Sequence, residues 1–327
     1  MKQIQFARTG IPSEVVACVD VPEPASPGPG EVLVQAQAFP INPADILTLR
    51  GGYARRADGV GVPGSEAVGV VVATGEGVAN VAVGDRVIYL CRDNWLAFKC
   101  VPAHQVMPVP RQADLLQLAM LKVNPATAHC LLERFVALGA DDWVIQNAAN
   151  SGVGRSLTQL ARLRGIRSIS VVRRDDVSAE LMALGATAVL RDGDDLAARV
   201  REQTGGARVA LAVDAVGGAA TARLADAVSD GATLVNYGGM QGEACIVRPD
   251  QLIFRDIAVR GFWLTRTVES MPYADAKLMY DALSGHVLAG NLHTPVEARY
   301  RAEEIQQAVA HAERGGRHGK VLVEFSN

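Results

Sequence analysis

The sequence predicts an α/β protein in which a doubly wound parallel sheet is inserted into an irregular antiparallel β-barrel. Three observations carry this reading. The 327 residues exceed what one ordinary core accommodates, so two domains are expected. The first third consists of short strand-like runs punctuated by Gly/Pro turns, whereas from about Leu115 helical patterns alternate with short apolar runs. The chain then closes on Gly319-Lys-Val-Leu-Val-Glu-Phe325, a strand expected to return to the first domain. The expected boundaries are 1–116 for the first part of the barrel domain, 117–265 for the inserted domain and 266–327 for the return.

Each element has its own signal. Glu31 to Ala38 alternates as a half-buried strand does, and Ala67 to Thr74 and Arg86 to Leu90 are β-branched or apolar runs. Pro27-Gly-Pro-Gly30 and Val83-Gly-Asp85 mark turns. In the second part the short apolar runs are Val144 to Gln146, Ser168 to Val172, Ala186 to Leu190, Val209 to Val213 and Thr233 to Tyr237. Helical patterns separate them, and strand–helix–strand repetition implies a parallel sheet with helices on both faces. Ile257 to Trp263 extends the sheet by one strand. An active site is expected in a cleft between the two domains.

Composition narrows the function classes. A formal net charge of −3 gives no general attraction to nucleic acid or to an anionic membrane, so small molecules are the expected partners. No apolar run reaches the length of a membrane span, and the first residues lack the apolar segment of a signal peptide. Cys18, Cys91, Cys100, Cys130 and Cys245 are scattered without a disulfide-like spacing, which points to the reducing cytoplasm.

The most informative stretch is Trp143-Val-Ile-Gln-Asn-Ala-Ala-Asn-Ser-Gly-Val-Gly-Arg155, followed by the amphipathic run Ser156 to Arg164. An apolar strand runs into a glycine turn that opens a helix. The unpaired N–H groups and the dipole at such a helix start suit a diphosphate. Asn150, Ser151, Gly152, Val153 and Gly154 are therefore candidate cofactor-binding residues. About twenty residues further on, where a dinucleotide fold meets the adenosine ribose, the chain reads Val171-Val-Arg-Arg174. Arg173 and Arg174 suit the 2′-phosphate of NADP, and a charge-assisted contact of about 1.5–3 kcal/mol would give at least a tenfold cofactor preference. Solvated surface arginines are the alternative, and Asp175 and Asp176 keep NAD open. The full Gly-x-Gly-x-x-Gly pattern is absent, and a short glycine pair alone is equally explained as a structural turn.

Zinc is not expected. Zinc-dependent alcohol dehydrogenases of comparable layout take a cysteine from the first domain and a histidine before a glutamate. Ile41-Asn-Pro-Ala-Asp45 has no cysteine, and Pro63-Gly-Ser-Glu66 has serine before the glutamate. There is no four-cysteine lobe, and the six histidines do not cluster in sequence.

Gly-Asp-Arg86, the Asn-Ser-Gly-Val-Gly154 turn and the closing Gly-Lys-Val-Leu-Val strand together resemble the medium-chain dehydrogenase/reductase superfamily. More narrowly, the chain is similar to the mitochondrial-type 2-enoyl thioester reductases. The matching stretches are Ile41-Asn-Pro-Ala-Asp45, Gly51-Gly-Tyr53, Val123-Asn-Pro-Ala-Thr127, Gln146 to Gly154, Tyr237-Gly-Gly-Met240, Leu252-Ile-Phe254 and Arg260-Gly-Phe-Trp-Leu264. This resemblance implies a zinc-independent enzyme with a Rossmann domain inserted in a GroES-like barrel, NADPH as cofactor and a homodimeric assembly.

The resemblance also implies a reaction. NADPH delivers hydride to the β-carbon of an α,β-unsaturated thioester, the thioester oxygen gains negative charge, and the α-carbon takes a proton. In the family a tyrosine in the Gly-x-Tyr loop is assigned to the proton, which here is Tyr53. An unperturbed tyrosine is protonated at neutral pH and can donate, although a packed loop tyrosine would look the same in sequence. Asn42, Asn124 and Thr127 carry polar groups suited to orienting the nicotinamide, the ribose or Tyr53, or else they cap local turns. Tyr237, Gly238, Gly239 and Met240 follow a sheet strand and are expected near the cofactor, with Phe262, Trp263 and Lys320 of the other matching motifs. Trp95, Phe254 and Trp263, with Tyr53, are candidate walls of the acyl pocket; core or interface aromatics are the alternative.

Two segments depart from the family pattern. Ala54 to Val62 is glycine-rich and basic where relatives carry proline; Arg55 and Arg56 either meet the phosphates of coenzyme A or carrier-bound pantetheine, or are solvated. Asn94-Trp-Leu-Ala-Phe-Lys99 replaces a commoner Gly-Thr-Trp segment, so the pocket roof near Trp95 is expected to differ. The leading expectation is an NADPH-dependent enoyl reductase, with a quinone oxidoreductase and a non-catalytic NADPH-binding protein as the alternatives.

Overall fold

A computed structural model describes residues 1–53 and 61–325. Arg55 and Arg56 lie outside the described residues. The chain divides into two compact units, one formed by residues 1–123 with 270–327 and the other by residues 124–269.

In the first unit the early strands are β1 (Lys2–Phe6), β2 (Val16–Asp20), β3 (Glu31–Pro40), β4 (Val68–Thr74), β5 (Arg86–Tyr89), β6 (Phe98–Pro102) and β7 (Val106–Pro108). β3 organises them. Its alternation sends Val32, Val34, Ala36 and Ala38 into the core and leaves Glu31, Leu33, Gln35 and Gln37 half-buried on the other face. It pairs antiparallel with both β4 and β6. Gly69 on β4 is needed for that closeness, since a Cβ there would stand 2.4 Å from the Gln35 carbonyl oxygen.

The second unit contains β8 (Trp143–Gln146), β9 (Arg167–Val172), β10 (Ala188–Arg191), β11 (Val209–Asp214), β12 (Thr233–Asn236) and β13 (Ala258–Gly261). All pairings among them are parallel, in the order β10-β9-β8-β11-β12-β13. In units of chain order this is 3-2-1-4-5-6, the doubly wound arrangement, with its topological switch point between β8 and β11. Strands covered on both faces should read as continuous apolar runs, and every residue of β8 and β11 is buried.

Two last strands belong to the first unit: β14 (Val296–Arg301) and β15 (Lys320–Glu324). β15 pairs antiparallel with β3 and parallel with β14, giving the sheet order β14-β15-β3-β4-β5-β7. The closing strand thus returns to the barrel, as its sequence predicts. Ile4, Phe39, Leu49, Tyr89, Trp95, Val321 and Val323 are part of its core.

The departures from the sequence-based strands have local causes. The helix after β8 spans Gly152–Leu163, beginning before the amphipathic run at Ser156, because the Ser151 hydroxyl accepts from the Gly154 N–H at 3.1 Å and caps it early. β10 begins at Ala188 rather than Ala186, because the Ala186 N–H bonds back to Leu181 behind a left-handed Gly185 (φ 108°). β13 is shorter than Ile257 to Trp263, and all four of its residues are exposed on the sheet edge. Among the described residues, no helix is long and apolar enough to cross a membrane.

Candidate active site

In the dinucleotide unit, the carboxyl ends of β8, β11 and β12 are tied together by one side chain. The Asp214 carboxylate, fully buried, accepts from Asn147 Nδ2 at 2.6 Å, Thr221 Oγ1 at 2.7 Å, Asn236 Nδ2 at 2.9 Å, and the N–H groups of Val216 at 2.9 Å and Gly217 at 3.2 Å. Burial alone would push this carboxyl up; the hydrogen bonds from Thr221, Asn147, Val216 and Asn236 outweigh it and hold Asp214 below the usual carboxylate range. Asn147 Oδ1 in turn accepts from the Ala215 N–H at 2.8 Å. The loops at the switch point, where doubly wound sheets bind nucleotides, are thereby held in one arrangement.

The glycine turn is built onto this frame. Ser151 caps the helix, and its side chain also hydrogen-bonds the Tyr237 phenol, whose burial pushes its proton affinity up. Arg155, only 2 % exposed, donates from Nε to the Asn150 carbonyl at 3.0 Å and forms a two-pronged ion pair with Glu180, so the turn is anchored to the next helix. Gly152 faces the Asn124 carboxamide so closely that a Cβ would lie 2.9 Å from its carbon. Asn124 is buried and its Nδ2 has no hydrogen-bond partner among the described residues. Thr127 is buried three residues along the same helix, Asn124–Glu133. An orphaned buried donor beside a capped helix start is a fit for a dinucleotide: the amide and the outward N–H groups supply donors that a diphosphate or ribose would satisfy.

Tyr237 to Met240 lies against the end of β11. The Tyr237 N–H donates to Asp214 O at 2.9 Å and the Met240 N–H to Ala215 O at 3.0 Å. A Cβ on Gly238 would stand 3.1 Å from that Ala215 oxygen, whereas Gly239 opens onto free space. Met240 and the buried Val153 differ in exposure, 55 % against 8 %. Arg173 and Arg174 are exposed just past the end of β9, the strand next to β8, and Arg174 is ion-paired with Asp176 at 3.3 Å. Phe262 packs edge-on against Phe135 (centroids 6.0 Å apart), with Trp263 following it on the partly exposed side.

The barrel unit holds a buried polar cluster. Asn42 Nδ2 donates to Glu66 Oε1 at 2.7 Å, and Asn42 Oδ1 accepts from Lys320 Nζ at 2.5 Å. Glu66 Oε2 takes the Val123 N–H at 2.8 Å. Asp45 takes both the N–H and the hydroxyl of Ser65, at 2.8 and 2.6 Å. Lys122 Nζ donates to the carbonyls of Ser65 (2.6 Å) and Cys91 (3.0 Å). Burial raises Glu66 and Asp45 and lowers Lys122 and Lys320. This donor set does not suit zinc: both Glu66 oxygens are engaged by N–H donors, and two lysine side chains lie among the carboxylates. Asn42 and Lys320, both candidates for the cofactor site, are hydrogen-bonded to each other inside this cluster.

Tyr53 stands at the end of the Gly51-Gly52 turn in the same unit. The Arg92 guanidinium lies over its ring, 4.5 Å from the centroid, and Nη1 reaches the phenol oxygen at 3.4 Å. The two remaining pocket-wall candidates sit in contrasting places. Trp95 is 0 % exposed and stacks on Phe39 (centroids 4.9 Å apart, planes 21° apart), so it is barrel core, because the loop folds its indole inward over Gly64. Phe254 is 82 % exposed at the end of the short helix Pro249–Ile253 and encloses nothing in its own unit. Sequence reasoning assigned no role to Arg92, Lys122, Asn147, Arg155 or Asp214; for Asn147, Asp214 and Asn236 the available signal was a polar residue at the carboxyl end of an apolar strand.

A parallel sheet with a capped glycine turn at its switch point, inserted in an antiparallel barrel, defines the dehydrogenase class of two-domain nucleotide-dependent oxidoreductases. Residues 28–111 match the alcohol dehydrogenase GroES-like domain, and residues 152–279 match the zinc-binding dehydrogenase family. The chain is 33 % identical over 301 residues to a mitochondrial enoyl-[acyl-carrier-protein] reductase of Dictyostelium discoideum, covering 90 % of this chain and 85 % of that protein. Among solved structures, a mycobacterial quinone oxidoreductase is 29 % identical with a TM-score of 0.87, covering 99 % of both chains. An enoyl thioester reductase from Candida tropicalis, in a mutant form, shares the fold at a TM-score of 0.87 and 23 % identity over 99 % of both chains. The chain belongs to the zinc-independent medium-chain dehydrogenase/reductases, in the family of the mitochondrial enoyl-[acyl-carrier-protein] reductases.

Proposed function

We propose that this protein is an NADPH-dependent reductase of 2-enoyl thioesters, converting them to the saturated acyl thioesters. The observation that carries the reading is membership of the enoyl-[acyl-carrier-protein] reductase family over nine-tenths of the chain, with 33 % identity to the Dictyostelium protein. NADPH, when bound, supplies the hydride taken by the β-carbon. The chain's own residues do the rest. The Ser151–Gly154 helix start receives the diphosphate, Asn124 Nδ2 finds its missing acceptor on the cofactor, and Arg173 and Arg174 meet the 2′-phosphate. Tyr53 gives its hydroxyl proton to the α-carbon and so quenches the enolate.

The same reading places a second copy of this chain on the β13 edge. All four β13 residues are exposed there, and Ile253 and Phe254 nearby are 70 % and 82 % exposed. An uncovered edge strand beside apolar side chains favours pairing with an identical strand, giving a homodimer. Cytoplasmic residence completes the proposal and rests on the scattered cysteines.

The test is isotopic. Crotonyl-CoA is incubated with NADPH deuterated at C4 of the nicotinamide, each face labelled in turn, and the product is analysed by mass spectrometry and NMR. Butyryl-CoA with deuterium at the β-carbon from one labelled face supports the proposal. Recovery of unchanged crotonyl-CoA, with rapid NADPH consumption on a simple quinone, favours the quinone reduction named for the mycobacterial neighbour.

A further inference from the structure

We infer that Arg92 is the positioning residue of the proton-donating step, holding Tyr53 in place and carrying the countercharge for the phenolate it becomes. This rests on the assignment of Tyr53 as proton donor. The guanidinium both covers the Tyr53 ring at 4.5 Å and points Nη1 at its oxygen at 3.4 Å. The first contact orients the ring; the second fills a lone pair of the phenol oxygen, so its hydrogen is directed elsewhere.

The loop carrying Arg92 is rigid for identifiable reasons. Lys99 Nζ donates to the carbonyls of Arg92 and Asp93 at 2.5 and 3.0 Å, and to Asn94 Oδ1 at 3.1 Å. Asn94, 1 % exposed, returns Nδ2 to the Cys91 carbonyl at 2.8 Å, which Lys122 also holds at 3.0 Å. Asp93 adopts a left-handed φ of 63° to complete the turn. Two lysines therefore fasten the backbone that presents a third cation. Burial holds Lys122 below its ordinary range and the Arg92 charge adds to it, while the Glu66 and Asp45 carboxylates act in the opposite sense. The buried Asp45 carboxylate answers part of the Arg92 charge at rest, and a phenolate forming on Tyr53, over which the guanidinium lies, would answer it at closer range.

The step balances simply. Hydride arrives at the β-carbon and the electron pair of the double bond moves onto the α-carbon and thioester oxygen. The Tyr53 O–H bond breaks, a C–H bond forms at the α-carbon, and the electron pair left on the phenol oxygen is held by the Arg92 hydrogen bond until water returns a proton. The planar guanidinium can stack and donate at once, which a lysine ammonium cannot do.

The experiment is a double-mutant cycle on the full-length enzyme with crotonyl-CoA, using Tyr53→Phe, Arg92→Met and the pair. Arg92→Met is expected to lower kcat by about tenfold or more, the loss of one charge-assisted hydrogen bond, while the NADPH Kd stays within about twofold. In the Tyr53→Phe background the same change should alter kcat by less than about twofold, because the phenolate it serves no longer forms. Millimolar guanidinium should restore part of the Arg92→Met rate and none in the double variant. Arg92→Lys, which keeps the charge but not the stacking fork, should fall between wild type and Arg92→Met and guards against misfolding of the methionine variant. Equal losses in both backgrounds, or a fully active Arg92→Met enzyme, would overturn the assignment. A fully active Tyr53→Phe enzyme would remove the tyrosine reading itself, a separate result visible in the single variant.

Discussion

The Asn147 carboxamide donates to the Asp214 carboxylate at 2.6 Å, joining the loops that follow β8 and β11 at the point where the sheet reverses its strand order. One buried carboxylate thus gathers donors from five residues, Asn147, Val216, Gly217, Thr221 and Asn236. The two features divide the work: the glycines at 152 and 154 leave room that a Cβ would fill, and Asp214 ties the strand ends around it.

Replacing Asp214 with Ala should therefore leave several buried donors unpaired, each costing about 1–3 kcal/mol, and weaken NADPH binding by at least about tenfold. Thermal denaturation and fluorescence titration of NADPH would check both. Because the folded carboxyl is held below its ordinary value, its stabilisation is present above that value and is lost as the pH falls through the folded one. The wild-type protein should lose stability on acidification below about pH 4, and the variant should lose less over the same range.

Ser151→Ala removes both the cap on Gly154 and the hydrogen bond to Tyr237. We expect a stability loss of about 1 kcal/mol and a severalfold rise in the NADPH Kd, measured by chemical denaturation and by titration.

The cluster around Glu66 makes the opposite pH prediction. Burial pushes the Glu66 carboxyl up to about 7, well above the value near 4.5 of an exposed glutamate. A raised carboxyl binds its proton more tightly folded than unfolded, so its contribution is fully present below about pH 4.5 and lost as the pH rises through about 7. Lys122 and Lys320, lowered to about 8, stay charged through that window and leave its slope unchanged. Glu66→Gln should flatten the dependence of unfolding free energy on pH between about 5 and 7; an unchanged slope would assign it to other groups.

Replacing Arg173 and Arg174 with Ala should weaken NADPH binding by about tenfold and leave NADH binding within about twofold. Equal losses for both nucleotides, by titration, would mean that neither arginine reads the 2′-phosphate. Arg174 has an alternative partner in Asp176 at 3.3 Å, so Arg173 should carry the larger share.

The parts of this molecule legible in the sequence were those written in neighbouring residues. Ser151 to Gly154 announced a helix start because strand, glycine turn and amphipathic run follow one another directly. The return of β15 was legible from a single apolar run. Asp214 was not, since an aspartate after an apolar strand reads as a turn residue until its five donors converge in space. Arg92 and Tyr53 are 39 positions apart, and no periodicity links two loops at such a distance. The placement of Trp95 was likewise not legible: a loop tryptophan carries no signal of direction, and its stacking on Phe39 shows that the loop turns inward.

Enoyl reduction by this protein is tested most sharply by the ratio of kcat/KM for a 2-enoyl thioester to that for a simple quinone, both with NADPH. The ratio should be well above one and fall at least about tenfold in Tyr53→Phe while the quinone rate is unchanged. A ratio below one that is insensitive to Tyr53 would contradict enoyl reduction.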